Sequence, residues 1–479
     1  MNRRELFRRA LAGVAAPTGV GASPPVSARV TRPNILFLMT DEHRFDSVGY
    51  VNPAVKTPNL DRLAGESVVF ENAYSTSPSC VPARAALYTG RYPSQCGAPT
   101  YITYLPGTET TFMSRLQKAG YHTAVIGKQH FGETDIRRGY DHEDIVDFEN
   151  AAPTSYSAFL AQAGIKPKQL RKAAGRFAYT FVQEQRFHMD DFVGEQAKRW
   201  FRNGRPQDKP WFLTVSFHGP HQPFDGLGLK YERSYQPEQI ALPQTDGSQL
   251  AGKPPHFRSQ QKLSAGITAA EIRQMRLSYY SKISMIDDKI GGILEALRAT
   301  GQYDNTLILF AADHGDFMGD FGLVYKAQYL SEVLMRVPMV AKPPIAGYAG
   351  RREKAFVQNF DIAATCLTVA GSAIPPEMAA QDFSKFWLQP ETAARRSHCF
   401  MDGHSLQGVR DEVWKLVHYR GRPYGELYDL KNDPWEKRNL WDDPAARSIK
   451  GELHASLVGH LIATTRRSEA KWNDGAPEI

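Results

Sequence analysis

Four short apolar runs, each followed closely by ionisable side chains, constrain the fold of this chain more than any other feature. The runs are residues 34–39, 123–126, 211–217 and 306–310. They continue into Thr40-Asp41-Glu42-His43, Gly127-Lys128-Gln129-His130, His218-Gly219-Pro220-His221 and Ala312-Asp313-His314-Gly315. Short apolar runs with polar ends are typical of buried strands in an α/β sheet. Since open α/β sheets place ligand sites at the carboxyl ends of their strands, we predict that the four polar ends meet at one site.

A long amphipathic helix is predicted between the third and fourth of these strands. Thr268 and Glu271 have the spacing of a capping box at its start. Eight apolar residues then recur at steps of three and four: Ile272, Met275, Tyr279, Ile283, Ile286, Ile290, Ile293 and Leu297. Such a stripe predicts packing against a hydrophobic core, not a cofactor site.

The pattern changes after about residue 385 to short strands separated by turns. Segments 408–410, 413–418 and 426–430 are typical of strands, and residues 445–465 are typical of a closing helix. We therefore predict a large domain over residues 32–384 and a small C-terminal α+β subdomain over residues 385–479.

The composition excludes several classes of protein. Hydrophobic residues make up 42% of the 479 residues, which is typical of a globular protein and neither of a disordered nor of a membrane protein. The net charge of +7 favours an anionic substrate, although a generally solvated basic surface explains it equally. Nucleic acid is not an expected partner, because no basic stripe with interleaved aromatic residues is present. The four cysteines, Cys80, Cys96, Cys366 and Cys399, are too few for a disulfide scaffold.

The N-terminal segment, residues 1–28, predicts bacterial export. Arg3 and Arg4, with Leu6 and Phe7 behind them, resemble a twin-arginine signal, and an Ala/Gly/Val run follows. That run is too short to span a bilayer, so no membrane span is expected; the alternative for the segment is a basic amphipathic helix. We expect a periplasmic or secreted protein.

Residues 80–91, CVPARAALYTGR, begin with the pattern Cys-x-Pro-x-Arg. A buried Cys80 at a helix start, with Pro82 in the first turn where a missing N–H costs nothing, explains the five-residue pattern as well as a functional role does. The full twelve residues favour function, because they resemble the sulfatase family. The resemblance implies that a formylglycine-generating enzyme oxidises Cys80 to formylglycine. One hydroxyl of the hydrated aldehyde then attacks sulfur, and the second expels sulfate.

The resemblance covers about residues 32–442 in five ordered motifs and includes GELYDLKNDPWEKRNL, residues 425–440. It implies an α/β fold, an alkaline-phosphatase-like sandwich around a mixed, largely parallel central sheet. It also implies a small antiparallel sheet in the C-terminal subdomain and makes residues 32–384 the catalytic domain.

A divalent metal is implied by the same resemblance. Asp41, Asp313, His314 and the oxidised Cys80 side chain match metal ligands, with Ca²⁺ as the usual ion and Mn²⁺ or another divalent metal as the alternative. Many sulfatases have Asp where this chain has Glu42. The extra methylene shifts the carboxylate by about a bond length, so ligation by Glu42 stays open.

The remaining matched residues have implied catalytic roles. Arg84 holds the aldehyde hydrate, and Lys128 binds the sulfate or nucleophile oxygens. His130 is a base for breakdown of the intermediate. His221, in SFHGPHQPF, donates to sulfate and is the candidate acid for the leaving group, whose oxygen Lys326 contacts.

Three functions remain open, with a sulfuric ester hydrolase leading. The expected substrate is an organic sulfate ester, a small molecule or an oligosaccharide, with carbohydrate as the expected class. A phosphonate or phosphate monoester hydrolase is the alternative, because the same nucleophile and metal serve tetrahedral phosphorus. The third hypothesis is an inactive binder of sulfated glycans, and the complete set of catalytic residues argues against it.

Overall fold

The computed structural model describes residues 32–131, 138–146, 154–166, 170–172 and 176–465. The predicted export signal, residues 1–28, lies outside the described residues, so export stays a prediction. Within the described ranges, no helix has both the length and the apolar character needed to cross a membrane.

The described part of the chain forms fifteen strands and twelve α-helices. The strands are β1 (Asn34–Asp41), β2 (Val68–Tyr74), β3 (His122–Gly127), β4 (His142–Ile145), β5 (Leu170–Lys172), β6 (Ala178–Phe181), β7 (Trp211–Pro220), β8 (Phe224–Leu227), β9 (Thr306–Ala312), β10 (Met339–Lys342), β11 (Arg351–Gln358), β12 (Cys399–Gly403), β13 (Leu406–Arg410), β14 (Trp414–Tyr419) and β15 (Gly425–Asp429). The helices are α1 (Pro58–Gly65), α2 (Cys80–Thr89), α3 (Pro93–Cys96), α4 (Phe112–Lys118), α5 (Ser155–Gln162), α6 (Met189–Arg199), α7 (Phe257–Ser264), α8 (Ala269–Ala299), α9 (Glu332–Met335), α10 (Asp361–Val369), α11 (Lys385–Leu388) and α12 (Arg447–Thr464).

An eight-stranded sheet forms the centre of the molecule, in the order β11-β2-β10-β9-β1-β7-β3-β4. Only β10 is antiparallel to its neighbours, and the other adjacent pairs are parallel. The predicted mixed, largely parallel sheet is therefore confirmed. The four strands predicted from apolar runs are β1, β3, β7 and β9, and they lie side by side as β9-β1-β7-β3. Their carboxyl ends consequently meet at one edge.

Alternate residues of the central strands face two separate hydrophobic layers. In β1, Ile35, Phe37 and Met39 join a core cluster that includes residues of α2, α4 and α10. Leu36 and Leu38 join a second cluster with residues of α1, α6 and α8. Because side chains of a strand point alternately to its two faces, a wholly apolar strand requires cover on both, and helices supply it.

The long predicted helix is α8, and its capping box is confirmed. The Thr268 hydroxyl accepts from the Glu271 amide at 3.2 Å, and the Glu271 carboxylate accepts from the Thr268 amide at 3.0 Å. The second half of the stripe packs on the central sheet through Ile286 and Ile290. The first half packs on a different cluster, where Tyr279 contacts β8 residues. The apolar stripe of α8 thus packs against the central sheet at one end and against the cluster that contains β8 at the other.

The C-terminal strands form the expected small antiparallel sheet, in the order β12-β13-β14-β15. Leu416 on β14 faces the closing helix α12, whereas the adjacent Val417 packs in a cluster with Tyr74 at the end of β2. The sequence patterns located β13, β14, β15 and α12 but missed β12. The domain boundary between residues 384 and 385 stays a prediction.

Gly127, the last residue of β3, provides a test of how closely the strand ends approach each other. Its φ is +113°, and a Cβ atom there would lie 1.9 Å from the carbonyl oxygen of Ser216 on β7. We expect Gly127→Ala to lower the free energy of unfolding by about 3 kcal/mol or more. The backbone at Ser216 must move away from the new Cβ atom, and the alanine must also adopt a φ that is strained for a residue with a side chain.

The matched control is Gly301→Ala, at a φ of +71° with no atom within 4 Å of the added Cβ. It should cost only about 1 kcal/mol, from the backbone conformation alone. Urea denaturation of both variants measures the difference. Equal losses would contradict the close approach of β3 and β7.

Candidate active site

The carboxyl edge of the central sheet brings the predicted site residues together. Asp41 ends β1, Lys128 follows β3, and Asp313 with His314 follows β9. Cys80 begins α2, and its Sγ lies 3.4 Å from an oxygen of Asp41 and 3.2 Å from Nε2 of His314. These five residues are buried. Residues far apart in sequence thus form one cluster around the Cys80 sulfur.

The side chain of Arg84 holds this cluster together through hydrogen bonds to several of its members. Arg84 and Cys80 are four apart on α2 and therefore share a helix face. The Arg84 guanidinium donates to Asp313 at 2.8 Å and to Asp41 at 2.9 Å, and also to the Lys128 carbonyl oxygen at 2.9 Å. A fully buried guanidinium is stable only where carboxylates and carbonyls replace its water. Arg84 therefore fixes the ends of three strands relative to the helix.

The charges around Asp41 keep it ionised. Burial opposes ionisation, but the Lys128 ammonium at 2.9 Å, His221 and Arg84 together hold the pKa of Asp41 well below its usual range. Cys80 behaves in the opposite way, since burial and the nearby Asp41 carboxylate raise the pKa of its thiol. The unmodified sulfur is therefore held as a thiol, which is a poor nucleophile.

The donor atoms of Asp41, Cys80, Asp313 and His314 all lie within 4.8 Å of one another. His314 Nδ1 contacts the Gly315 carbonyl oxygen at 2.9 Å. A carbonyl only accepts, so Nδ1 carries the proton, and the lone pair of Nε2 is directed towards the cluster. Carboxylate oxygens and a neutral imidazole nitrogen are ligands of divalent metals, and the residues present fit such an ion.

The carboxyl group of Glu42 contacts Lys326 and His221, whereas its amide donates to Asp313 of this cluster at 2.9 Å. One of its oxygens is 2.7 Å from Nζ of Lys326 and 3.2 Å from Nε2 of His221. Among the described residues, Glu42 belongs to a second potential ligand group with Asp41 and His221, not to the group that contains Cys80. His221 and Lys326, the two residues predicted to act on the leaving group, therefore contact the same carboxyl group.

His130 and His218 also lie at this edge. His130 follows β3 with a φ of +50° and hydrogen-bonds with the Cys80 side chain. His218, which has no role predicted from the sequence, packs edge-on against His221 with ring centroids 4.8 Å apart. The amide of His218 donates to Asp190 at 2.8 Å, which fixes the backbone between the two histidines.

Three residues that support the site were not identified from the sequence. The Ser216 hydroxyl accepts from the Arg84 guanidinium at 3.1 Å, and the side-chain amide of Asn359 donates to the Asp313 carbonyl oxygen at 3.0 Å. The Tyr279 hydroxyl donates to the Glu42 carbonyl oxygen at 2.6 Å. The apolar periodicity assigned Tyr279 to the core, and no sequence pattern shows where its hydroxyl group ends.

The four cysteines are free, with none joined in a disulfide. Their buried positions agree with the expectation that disulfides do not form the scaffold of this protein.

Comparison with known proteins agrees with this geometry. Residues 33–372 match the sulfatase family model, and residues 319–462 match the model for the C-terminal part of N-sulphoglucosamine sulphohydrolase. The chain belongs to the sulfatase family. It is therefore an enzyme that hydrolyses sulfuric esters, and the alkaline-phosphatase-like fold predicted from its motifs is confirmed.

Individual relatives resemble this sulfatase over most of its length. The ulvan-active sulfatase of Formosa agariphila is 27% identical over 446 residues, which cover 89% of this chain and 80% of that protein. The multifunctional alkaline phosphatase superfamily protein PehA of Trinickia caryophylli is 30% identical over 490 residues, covering 88% and 93%. The crystal structure of the phosphonate monoester hydrolase of Agrobacterium radiobacter has a TM-score of 0.79 at 24% identity and covers 91% and 96%, which shows a common fold.

Arg84 provides a test of the buried cluster. Arg84→Lys keeps one positive charge but cannot reach both Asp41 and Asp313, so one carboxylate is left without its partner. We expect the variant to unfold about 3 kcal/mol more easily and to bind Ca²⁺ at least about tenfold more weakly.

Arg396→Lys is the matched control, because Arg396 is partly buried and also forms a bidentate pair with an aspartate, Asp361, at 2.8 and 3.0 Å. It should destabilise the fold without weakening Ca²⁺ binding. Calorimetric titration with Ca²⁺ and urea denaturation measure the two effects. Unchanged Ca²⁺ affinity in Arg84→Lys would contradict the assigned role.

Proposed function

We propose that this sulfatase releases inorganic sulfate from a carbohydrate sulfate ester, with formylglycine made from Cys80 as nucleophile and one divalent cation. The observation that carries the proposal is the position of Cys80 at the start of α2, among Asp41, Asp313 and His314. A carbohydrate is favoured by the match of residues 319–462 to a sulphohydrolase of N-sulphoglucosamine, and by the relative that is active on ulvan.

The cation would be held by Asp41, Asp313 and His314, with the oxidised Cys80 side chain completing the site. Ca²⁺ is the proposed ion because most of these donors are oxygen atoms, and Mn²⁺ is the alternative because His314 contributes nitrogen. When bound, the ion supplies positive charge that neutralises the sulfate oxygens.

Conversion of Cys80 requires a formylglycine-generating enzyme that acts before the chain has folded. Cys80 has no exposed surface, and its thiol lies beneath the carboxyl edge of the sheet. An external enzyme therefore has access to it only in the unfolded chain. Formylglycine would supply a hydroxyl nucleophile and, as a hydrate, a second hydroxyl that releases sulfate.

The side chains around Cys80 are proposed to divide the remaining tasks. Arg84 orients the nucleophile, and Lys128, with its Nζ 2.9 Å from Asp41, stabilises negative charge on the sulfate oxygens. His130, which hydrogen-bonds with Cys80, is the proposed base for release of sulfate. His221 and Lys326 stabilise the leaving alcohol oxygen, which must gain a proton when its bond to sulfur breaks.

Export to the periplasm or the medium is part of the proposal and depends on residues 1–28. The twin arginines and the short apolar run support it. An exported sulfatase would act on sulfate esters that reach the cell from outside.

A phosphonate or phosphate monoester hydrolase is the second candidate. The specific observation that favours it is the Asp313-His314 pair together with Glu42, whose carboxyl group is directed at Lys326 and His221, not at Cys80. The metal group then has fewer carboxylates than a site with two adjacent Asp residues, and a less negative site is suited to phosphorus esters as well.

Modification of Cys80 is tested by mass spectrometry of the peptide that contains residues 75–91, isolated from the native host. We expect formylglycine at position 80 and a loss of at least about a thousandfold in activity for Cys80→Ala, because the nucleophile is removed. Cys96→Ala is the matched control, since Cys96 is also a buried cysteine but contacts the Pro93 carbonyl oxygen instead of the site. An unmodified thiol in active enzyme would refute the proposed nucleophile.

Substrate class is tested by comparing kcat/KM for 4-nitrophenyl sulfate, a panel of sulfated saccharides and 4-nitrophenyl phenylphosphonate. We expect the highest value for a sulfated saccharide, since binding of the sugar contributes to stabilisation of the transition state. Preference for the phosphonate would establish the second candidate instead.

A further inference from the structure

We propose that Glu42 is a positioning residue that fixes His221 and Lys326 together on the leaving-group side of the site, and that it does not ligate the divalent cation. This inference rests on the proposed function, in which His221 and Lys326 act on the leaving oxygen. It concerns the position at which this chain differs from sulfatases with two adjacent Asp residues.

One oxygen of Glu42 contacts both leaving-group residues. The distances are 2.7 Å to Nζ of Lys326 and 3.2 Å to Nε2 of His221. His221 follows β7, and Lys326 lies in the segment after β9, so no element of secondary structure fixes one relative to the other. The shared carboxyl oxygen therefore sets the separation of the two side chains.

The imidazole of His221 is held at its other nitrogen as well. Nδ1 contacts the Gln222 carbonyl oxygen at 2.6 Å, and this contact fixes the plane of the ring. Lys282 also donates to the His221 carbonyl oxygen at 3.0 Å. With its backbone and Nδ1 fixed, His221 can direct only its Nε2 edge towards the site, and that edge faces Glu42.

The backbone of Glu42 is built to direct the side chain this way. Its φ is +60°, a left-handed conformation that a residue with a Cβ adopts only where contacts enforce it. The Glu42 amide donates to Asp313 at 2.9 Å, and its carbonyl oxygen accepts from the Tyr279 hydroxyl at 2.6 Å. The same hydroxyl accepts from the Arg44 amide at 3.0 Å. Strained backbone held by buried partners is typical of functional positions.

A metal at Glu42 is the competing explanation, because donor atoms of Asp41, Glu42 and His221 lie within 4.8 Å of one another. Two lysine ammonium groups already contact these potential ligands. Nζ of Lys326 lies 2.7 Å from Glu42, and Nζ of Lys128 lies 2.9 Å from Asp41. A second divalent cation would lie beside two positive charges in a buried site, where repulsion between like charges is strong. The Lys326 ammonium thus takes the place of a cation at Glu42.

The consequence for catalysis depends on the leaving group. A sugar alkoxide is strongly basic and needs a proton and positive charge as its bond to sulfur breaks, whereas 4-nitrophenolate leaves with little assistance. Misplacing His221 and Lys326 should therefore slow the hydrolysis of alkyl esters more than that of aryl esters.

The test compares Glu42→Gln with the wild type on an alkyl sulfate and on 4-nitrophenyl sulfate. Gln has the same shape but puts an amide in place of the carboxyl group that Lys326 and His221 share. We expect kcat/KM to fall by about a hundredfold for the alkyl ester and by about tenfold or less for the aryl ester. Elemental analysis should give one divalent ion per chain in both proteins. Equal loss on the two esters would overturn the proposal, as would loss of the ion from Glu42→Gln or two ions in the wild type.

Asp320→Asn is the matched control, because Asp320 is a buried carboxylate paired with Arg44 at 2.8 Å and with Arg276 at 3.4 Å. Asp320→Asn is expected to change only the stability of the fold, so kcat/KM for the alkyl and the aryl sulfate should fall by the same factor. Thermal denaturation of both variants shows how much of each loss comes from the fold.

Failure of the proposed function gives a different result from failure of this inference. If the wild type prefers phosphonates, the same comparison is made with ethyl and 4-nitrophenyl esters of phenylphosphonate. A selective loss on the alkyl ester supports the role of Glu42 in either series, and equal losses refute it in either series.

Discussion

The bond pattern of Arg84 is the constraint on which the rest of the site depends. Its buried guanidinium joins Asp41 at the end of β1 to Asp313 after β9, and α2 carries it four residues from Cys80. Two carboxylates this close and this deeply buried would repel each other without a cation between them. Because one side chain satisfies both, the strands, the helix and the Cys80 side chain are fixed relative to one another.

The remaining charges follow from the same requirement. Lys128 neutralises Asp41 and Lys326 neutralises Glu42, in addition to the Arg84 guanidinium that Asp41 and Asp313 share. A substrate with a sulfate group adds one negative charge to this balanced set, and a divalent cation at Asp41, Asp313 and His314 would offset it. The site is therefore organised by pairs of opposite charge and not by a general excess of basic residues.

The small C-terminal sheet contributes to the site from a distance. The Tyr74 hydroxyl, at the end of β2, donates to Glu332 at 2.6 Å, and Glu332 is 3.2 Å from Lys415 on β14. The Ser75 amide donates to the Met335 carbonyl oxygen at 2.7 Å. The start of the segment that leads from β2 to Cys80 is thus held by these contacts, which stabilises the position of α2.

The sequence by itself determined the parallel strands, the long helix and most of the residues at the sheet edge. Buried strands must be apolar over their whole length, so residues 34–39 and 306–310 are recognisable, and the polar residues after them locate the edge. The Cys80 motif predicted the family for a similar reason, because its chemistry requires particular side chains at fixed spacing along one helix. Local spacing of this kind is directly visible in a sequence.

Only the tertiary structure decided how residues from different elements pair. The sequence left Glu42 open as a metal ligand, and the structure directs it to Lys326, 284 positions along the chain. The direction depends on a left-handed backbone held by Tyr279 of α8, which its apolar neighbours assigned to the core. Contacts between distant segments arise from the packing of sheet and helices, and no pattern along one segment carries that information.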